Sequence, residues 1–292
     1  MNGKIHPALL PAGLQDTLPP DAEFESEVTE GLIAAFAAHG YERVKPPLIE
    51  FEENLISGSG AATAAQTFRL MDPVSQRMLG LRADMTLQIA RIATTRLADL
   101  PRPLRLSYAG QVLRVVGSAL RPERQFGQVG AELIGSASCR ADAEVILMAA
   151  NTLKSLGVSG LSIDLGLPLL VSEAIKASGP KDEGGIATLN AALAQKDAAA
   201  IAAIDGVEPE LFAAILDAAG HAEEALERLR ALSLPAEAKV QIESQIEGLA
   251  EVMTAIKADA PGLKLTIDPV EMRGYEYPEG VPFSIFAVNL RG

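Results

Sequence analysis

Phe24, Val28, Leu32 and Phe36 recur every four residues, which places them on one face of a helix. Leu18-Pro19-Pro20-Asp21 reads as a turn leading into that helix. His39-Gly40 ends it, glycine being suited to the left-handed C-terminal position. Residues 41–45 read as a strand running into Pro46-Pro47, where the second proline disfavours helix at the first. Phe68-Arg69-Leu70-Met71 and Met78-Leu79-Gly80-Leu81 flank Asp72-Pro73-Val74-Ser75-Gln76, which predicts a hairpin. Thr86 is placed to cap a helix carrying Ile89, Ile92 and Leu97. Residues 104–116 and 129–134 read as two further strands around a loop, and residues 142–156 as an amphipathic helix stopped by Gly157.

The texture then changes. From about 172 to 259 the chain is rich in Ala, Glu, Ile and Leu and reads as short helices broken at Gly179-Pro180, Gly184-Gly185, Gly206, Pro209, Gly220 and Pro235. Strand character resumes at 263–268. The expected organisation is a mixed α+β core over 1–171, a helical insertion over 172–262, and C-terminal strands of the core over 263–292.

Composition narrows the class. Of the 292 residues 48% are apolar, enough to bury a sizeable core. There is no run of 18 apolar residues and no apolar stretch of signal-peptide type at the N-terminus. The single cysteine, Cys139, has no internal disulfide partner, and a cytoplasmic protein is expected. The formal net charge of −13 disfavours general nucleic-acid binding, whose affinity comes from Lys and Arg displacing counterions.

No Walker loop, dinucleotide fingerprint or nucleophile elbow is present. His6, His39 and His221 have no spacing that suggests a metal site, and no metal or cofactor is expected. Cys139 precedes a helix that would acidify it, yet lacks a partner base, so a small core residue is the plainer reading. Four stretches carry candidate chemistry. In Leu81-Arg82-Ala83-Asp84-Met85-Thr86 an acid and a hydroxyl at a strand-to-helix junction suit an ammonium group, although either would serve equally as a helix cap. Arg114 shares a strand face with Val112 and Gly110, and its permanent charge calls for a carboxylate, a phosphate or a salt bridge. Gln128, Gly130 and Glu132 share one strand face. They would line either a pocket, with Gly130 leaving room for a ligand, or a solvated surface. Arg273-Gly274-Tyr275-Glu276-Tyr277 forms a charged, aromatic turn before the last strand.

Taken in order, these stretches resemble the catalytic core of class II histidyl-tRNA synthetase, over about 13–165 and again from 263. His39-Gly40-Tyr41-Glu42 into Pro46-Pro47-Leu48-Ile49-Glu50 resembles motif 1. Arg82-Ala83-Asp84-Met85-Thr86 stands where the synthetase has Arg-Pro-Glu-Gly-Thr. Residues 110–114 with 128–135 resemble motif 2, and 273–277 resemble the signature that closes over histidine. The fold implied is α+β: a class II aminoacyl-tRNA synthetase-like antiparallel sheet flanked by helices, with a helical insertion. After Arg114 the synthetase continues Tyr-Glu-Arg-Pro, and here Val115-Val116-Gly117-Ser118 stand instead. Gly127 replaces a histidine, and the third motif is not seen before Gly292. Adenylation needs cationic clamps on the phosphoryl region.

That pattern resembles a sister family, the regulatory subunits of short-form ATP phosphoribosyltransferase, which keep the synthetase fold without its chemistry. Gln88-Ile89-Ala90-Arg91 and Arg124-Gln125-Phe126 also resemble that family. The resemblance implies no catalytic residue. It implies a short catalytic chain as partner, L-histidine as ligand in feedback inhibition of the first step of histidine biosynthesis, and self-association through the motif 1 region. By position, Asp84, Thr86 and Gln128 would receive the amino group and Arg114 would face the carboxylate or the vacant ATP side. Glu132 would accept a proton from the imidazole, and Arg273 and Tyr277 would close the pocket. An active amino-acid-activating enzyme is the alternative, and a scaffold whose sheet ends on an unpaired edge is a third reading.

Overall fold

The computed structural model describes residues 9–56, 64–118, 121–271 and 281–288. The chain divides into two compact units, Met1–Ser136 and Ala137–Gly292, each mixing helices with small sheets.

In the first unit, helix α1 (Asp21–Ala38) forms where the apolar repeat predicts it, and Gly40 takes the left-handed conformation at φ +81°. Of the repeat only Phe36 is buried, beside Ile33, which lies off it; Val28 and Leu32 are half-buried and Phe24 is 68% exposed, the three lining an open groove. Strand β1 (Glu42–Arg43) is shorter than expected and runs parallel to β5 (Leu104–Leu113). Strand β2 (Ile49–Phe51) is followed by helix α2 (Glu52–Ile56). The predicted hairpin closes as β3 (Phe68–Met71) against β4 (Met78–Leu81), with Met71 opposite Met78. Its turn is held by the Asp72 carboxylate, which accepts from the backbone N–H groups of Val74 and Ser75, both at 3.1 Å.

Helix α3 (Thr86–Thr95) takes Thr86 as its first residue rather than as its cap, and Leu97 lies beyond its end. Strand β6 (Gln125–Ile134) begins four residues earlier than the pattern suggests, because Gln125 to Gln128 complete a ladder of ten pairs with β5. Alternation along β5 assigns its two faces. Leu104, Leu106, Tyr108 and Val112 bury themselves against Met85, just ahead of α3, and Ile89 and Ala93 along it. On the opposite face Gln111 reaches α1, donating to Glu25 at 3.3 Å.

In the second unit, helix α4 (Cys139–Ser155) starts three residues ahead of expectation because Ser138 caps it, its Oγ accepting from the Ala141 N–H at 3.2 Å. Strand β7 (Leu161–Gly166) lies between β9 (Lys264–Asp268), which is parallel to it, and β10 (Phe283–Ala287), which is antiparallel. The chain between β7 and β9 is helical: α5 (Pro168–Ser178), α6 (Glu183–Ala194), α7 (Ala198–Ala202), α8 (Pro209–Asp217), α9 (Ala222–Arg230) and α10 (Ala236–Asp259). Gly179, Gly206, Pro209 and Pro235 fall at helix boundaries as read. Gly184-Gly185 do not break the chain: they sit in the first turn of α6, where the Asp182 carboxylate caps the Gly185 N–H at 2.8 Å. Gly220 instead enters a two-residue strand, β8 (Gly220–His221), beside β9. The core of this unit packs the inward faces of α5, α6 and α10, with Leu170, Leu189, Ile242 and Leu249, against Ile163 and Leu165 of β7. Each such fully buried side chain contributes about 1.5–3 kcal/mol.

Candidate functional site

The site is built on the inner face of the β5–β6 pair, where it meets the strand-to-helix junction ahead of α3. Cross-strand register puts Leu106 opposite Glu132, Tyr108 opposite Gly130 and Gly110 opposite Gln128. Gln128, Gly130 and Glu132 therefore share one face as expected, and that face is partly buried rather than solvated.

Asp84 is the hinge of the cluster. Its Oδ1 accepts from the Thr86 N–H at 2.7 Å, and its Oδ2 accepts from Gln128 Nε2 at 2.8 Å. The other end of the Gln128 amide accepts from the Met85 N–H at 3.0 Å. Asp84 thus ties down the start of α3 through the Thr86 N–H. A carboxylate has about four lone-pair sites, so two internal donors leave capacity for a ligand ammonium.

Glu132 stands further along the same face. Tyr108 donates its hydroxyl to Glu132 Oε1 at 3.1 Å, and the Thr86 hydroxyl lies 3.4 Å from the Tyr108 oxygen. Burial pushes the Glu132 carboxyl above the usual carboxylate range. The charge of Asp84 adds to this, while hydrogen bonds from Tyr108 and Thr86 pull the other way. Burial, then the Glu132 charge, push the Tyr108 hydroxyl well above an ordinary phenol, so it stays a donor.

Asp84, Thr86, Gln128 and Glu132 are brought together. Arg114 follows the end of β5; its Nε reaches the Ala83 carbonyl at 3.4 Å and its guanidinium lies 5.3 Å from the Phe126 ring centre. Among the described residues no carboxylate pairs with it. Arg273 and Tyr277 lie outside the described residues.

Two corrections follow from packing. Gly130 does not leave room for a ligand, because a Cβ there would overlap the Tyr108 ring and hydroxyl. Tyr108 is a site residue that the sequence reading missed. Its alternation with Gly110 and Val112 was the available signal, but only the register shows that it fills the space over Gly130. The Cys139 thiol is not acidified. A hydrogen bond to Glu251, then burial, raise it, and it packs at the margin of the core. Among the described residues no set of three or more His, Cys, Asp or Glu side chains is arranged to hold a metal, and no helix is long and apolar enough to cross a membrane.

The histidyl-tRNA synthetase family profile matches residues 13–292. The chain is 56% identical over 290 residues to the ATP phosphoribosyltransferase regulatory subunit of Paramagnetospirillum magneticum, covering 99% of this chain and 75% of that protein. It is 55% identical over 285 residues to the protein of the same name from Rhodospirillum centenum, covering 98% and 72%. Its fold matches the crystal structure of an ATP phosphoribosyltransferase regulatory subunit/histidyl-tRNA synthetase from Bacillus halodurans with a TM-score of 0.82 at 23% identity, covering 98% of this chain and 74% of that one. It also matches a histidine–tRNA ligase subunit from Alicyclobacillus acidocaldarius with a TM-score of 0.75 at 26% identity, covering 96% and 85%. An α+β chain on the class II synthetase fold, more than half identical along nearly its whole length to such proteins, belongs to the family of ATP phosphoribosyltransferase regulatory subunits.

Proposed function

We propose that this chain is a non-catalytic regulatory subunit that binds L-histidine and transmits its presence to a short-form ATP phosphoribosyltransferase catalytic chain, in the first step of histidine biosynthesis. The observation that carries the reading is the pair of acids on one face. Asp84, held by Thr86 and Gln128, suits an ammonium, and Glu132, held by Tyr108, suits an imidazole N–H. Each charge-assisted contact would contribute about 1.5–3 kcal/mol. Regulation then requires only that histidine bind one arrangement of the complex better than another.

Self-association, expected through the motif 1 region at 39–50, extends in this reading to α1, the helix that leads into it. The groove beneath Phe24, Val28 and Leu32, about 700 Å³, leaves an apolar helix face that a second copy would cover.

Calorimetric titration with L-histidine, with and without the catalytic chain, tests the proposal. The expected result is binding by this chain and histidine-dependent inhibition of the complex. Absence of binding, or a catalytic chain indifferent to this one, would overturn it. The alternative, an enzyme that adenylates an amino acid, draws on Arg114 lying free of any carboxylate among the described residues. It predicts histidine-dependent ATP–pyrophosphate exchange.

A further inference from the structure

An open groove of about 440 Å³ lies between α8 and the chain at the end of α9. Along α8, Glu210, Ala214 and Asp217 are spaced four and three residues apart, so they form one stripe beside the groove. The helix rises about 10 Å over that span, which sets a carboxylate at each end of an apolar gap. Leu211, 5% exposed, lies at the floor next to the stripe, and the half-buried Leu232 lines the other bank. Ala214 and Ala231 keep the floor shallow and open to an incoming side chain.

The charge of the groove is not balanced from within. Among the described residues Glu210 and Asp217 make no hydrogen bond or ion pair. Glu208, at the head of α8, accepts the Ser178 hydroxyl at 2.8 Å and meets no cation among those residues. The cations of the neighbouring helices are engaged elsewhere: Arg230 with Glu247, Lys239 with Glu243 and Lys257 with Glu223. Arg228 lines the groove, but its Nη2 donates to the Ala219 carbonyl at 3.3 Å. Three carboxylates therefore stand against one guanidinium. The chain from 172 to 259 carries more than twice as many Asp and Glu as Lys and Arg, so the surrounding surface adds to this field.

We infer that this groove is the docking site of the short catalytic chain, which enters it with a basic amphipathic helix. One apolar side chain of that helix settles over Leu211 and Leu232, and the Lys or Arg residues on either side of it meet Glu210 and Asp217. This rests on the reading of the chain as partner to that catalytic chain. Charge and spacing select the occupant. A second copy of this chain would bring a net charge of −13 to an acidic rim, and like charges across an interface oppose association. A helix with cations seven residues apart and an apolar residue between them matches the stripe end to end, because both helices rise by the same step. The rim pairs steer the encounter and fix its orientation, and the apolar contact in the gap slows dissociation.

The test is association of the intact chain with a short-form ATP phosphoribosyltransferase catalytic chain, followed by calorimetry at low and at physiological salt. Glu210→Lys with Asp217→Lys should weaken association about 10- to 100-fold and flatten its salt dependence. Ala214→Trp fills the gap from an exposed position without changing charge. It should weaken association about 10-fold and leave the salt dependence as in wild type. Glu183→Lys with Glu237→Lys, the same charge change in the exposed first turns of α6 and α10, should bind as wild type. If wild type does not associate with the catalytic chain, the reading of the partner falls and the docking with it. If wild type associates and Ala214→Trp binds equally well, or the control pair weakens binding as much as the groove pair, the groove alone is wrong. A change in self-association of this chain caused by Ala214→Trp would give the groove to a second copy and overturn the proposal.

Discussion

The ring of Tyr108 occupies the space where a side chain on Gly130 would begin: a Cβ there would overlap Cζ and the hydroxyl and stand 2.8 Å from Cε2. The two residues are opposite each other in the β5–β6 ladder, so the glycine is the condition for Tyr108 to lie flat and reach Glu132. Gly130→Ala should therefore destabilise the fold by about 1–3 kcal/mol, the cost of overpacking a well-filled site. Tyr108→Phe keeps the ring and removes only the donor, and should cost about 1 kcal/mol. Urea denaturation of both variants checks the order.

The raised Glu132 carboxyl makes a prediction about pH. Its folded-state value lies above the ordinary carboxylate value, so the folded protein holds a proton that the unfolded chain releases. Stability from this group is fully present below the ordinary carboxylate pKa and is lost as pH rises through the folded value. Glu132→Gln should remove that decline. Melting temperatures of wild type and variant measured between pH 4 and pH 8 (about the window from carboxylate to neutral) should converge at low pH and separate at high pH, the variant being the more stable there.

Asp84 holds the start of α3 and, in the proposed function, the ligand ammonium, and substitution tests both roles. Asp84→Asn keeps an acceptor for the Thr86 N–H, removes the charge and turns an amide donor toward Gln128 Nε2, so histidine affinity should fall about 10- to 100-fold with about 1 kcal/mol of stability lost at the Gln128 contact rather than at the start of α3. Asp84→Ala should lose affinity similarly and cost about 1 kcal/mol more of stability through the exposed start of α3. Calorimetry paired with denaturation distinguishes the two.

Lys196, in the turn between α6 and α7, holds a left-handed backbone at φ +55° while its ammonium pairs with the largely buried Asp268 carboxylate at 2.6 Å. Side chains other than glycine sit at such angles at a cost of about 1–2 kcal/mol. Lys196→Ala loses the ion pair and keeps the strain, whereas Lys196→Gly loses the pair and relieves it. The glycine variant should be the more stable by about 1 kcal/mol in chemical denaturation, against the usual ranking of these residues.

Phe24 tests the exposed face of α1. Phe24→Asp should leave the fold intact, since the ring is mostly exposed, and shift the chain to monomer in sedimentation velocity. An unchanged sedimentation coefficient would remove α1 as the interface.

The elements legible in the sequence were those whose signals are local. The turn chemistry of Asp72 sets the β3–β4 hairpin, and the four-residue repeat sets α1. Prolines and glycines mark most helix ends between β7 and β9. Asp84, Thr86, Gln128 and Glu132 could also be picked out, because alternation and order along the chain carry their relationship. Local rules gave way wherever a neighbour from elsewhere supplied the missing partner. Gly184-Gly185 enter a helix because Asp182 caps it, and the outward face of α1 is apolar although the core takes Ile33 and Phe36.

What the sequence alone determined is which residues alternate together and where turns must fall, since both depend on neighbours within a few bonds. Tertiary structure alone decided the register of β6 on β5 and the parallel pairing of β7 with β9. Register is the deciding quantity for the site. It places Tyr108 over Gly130 and Gly110 beside Gln128, so that one glycine admits a ring and the other admits the guanidinium of Arg82. A slip of one residue would send every one of these side chains to the other face, and no count along the chain could have fixed it.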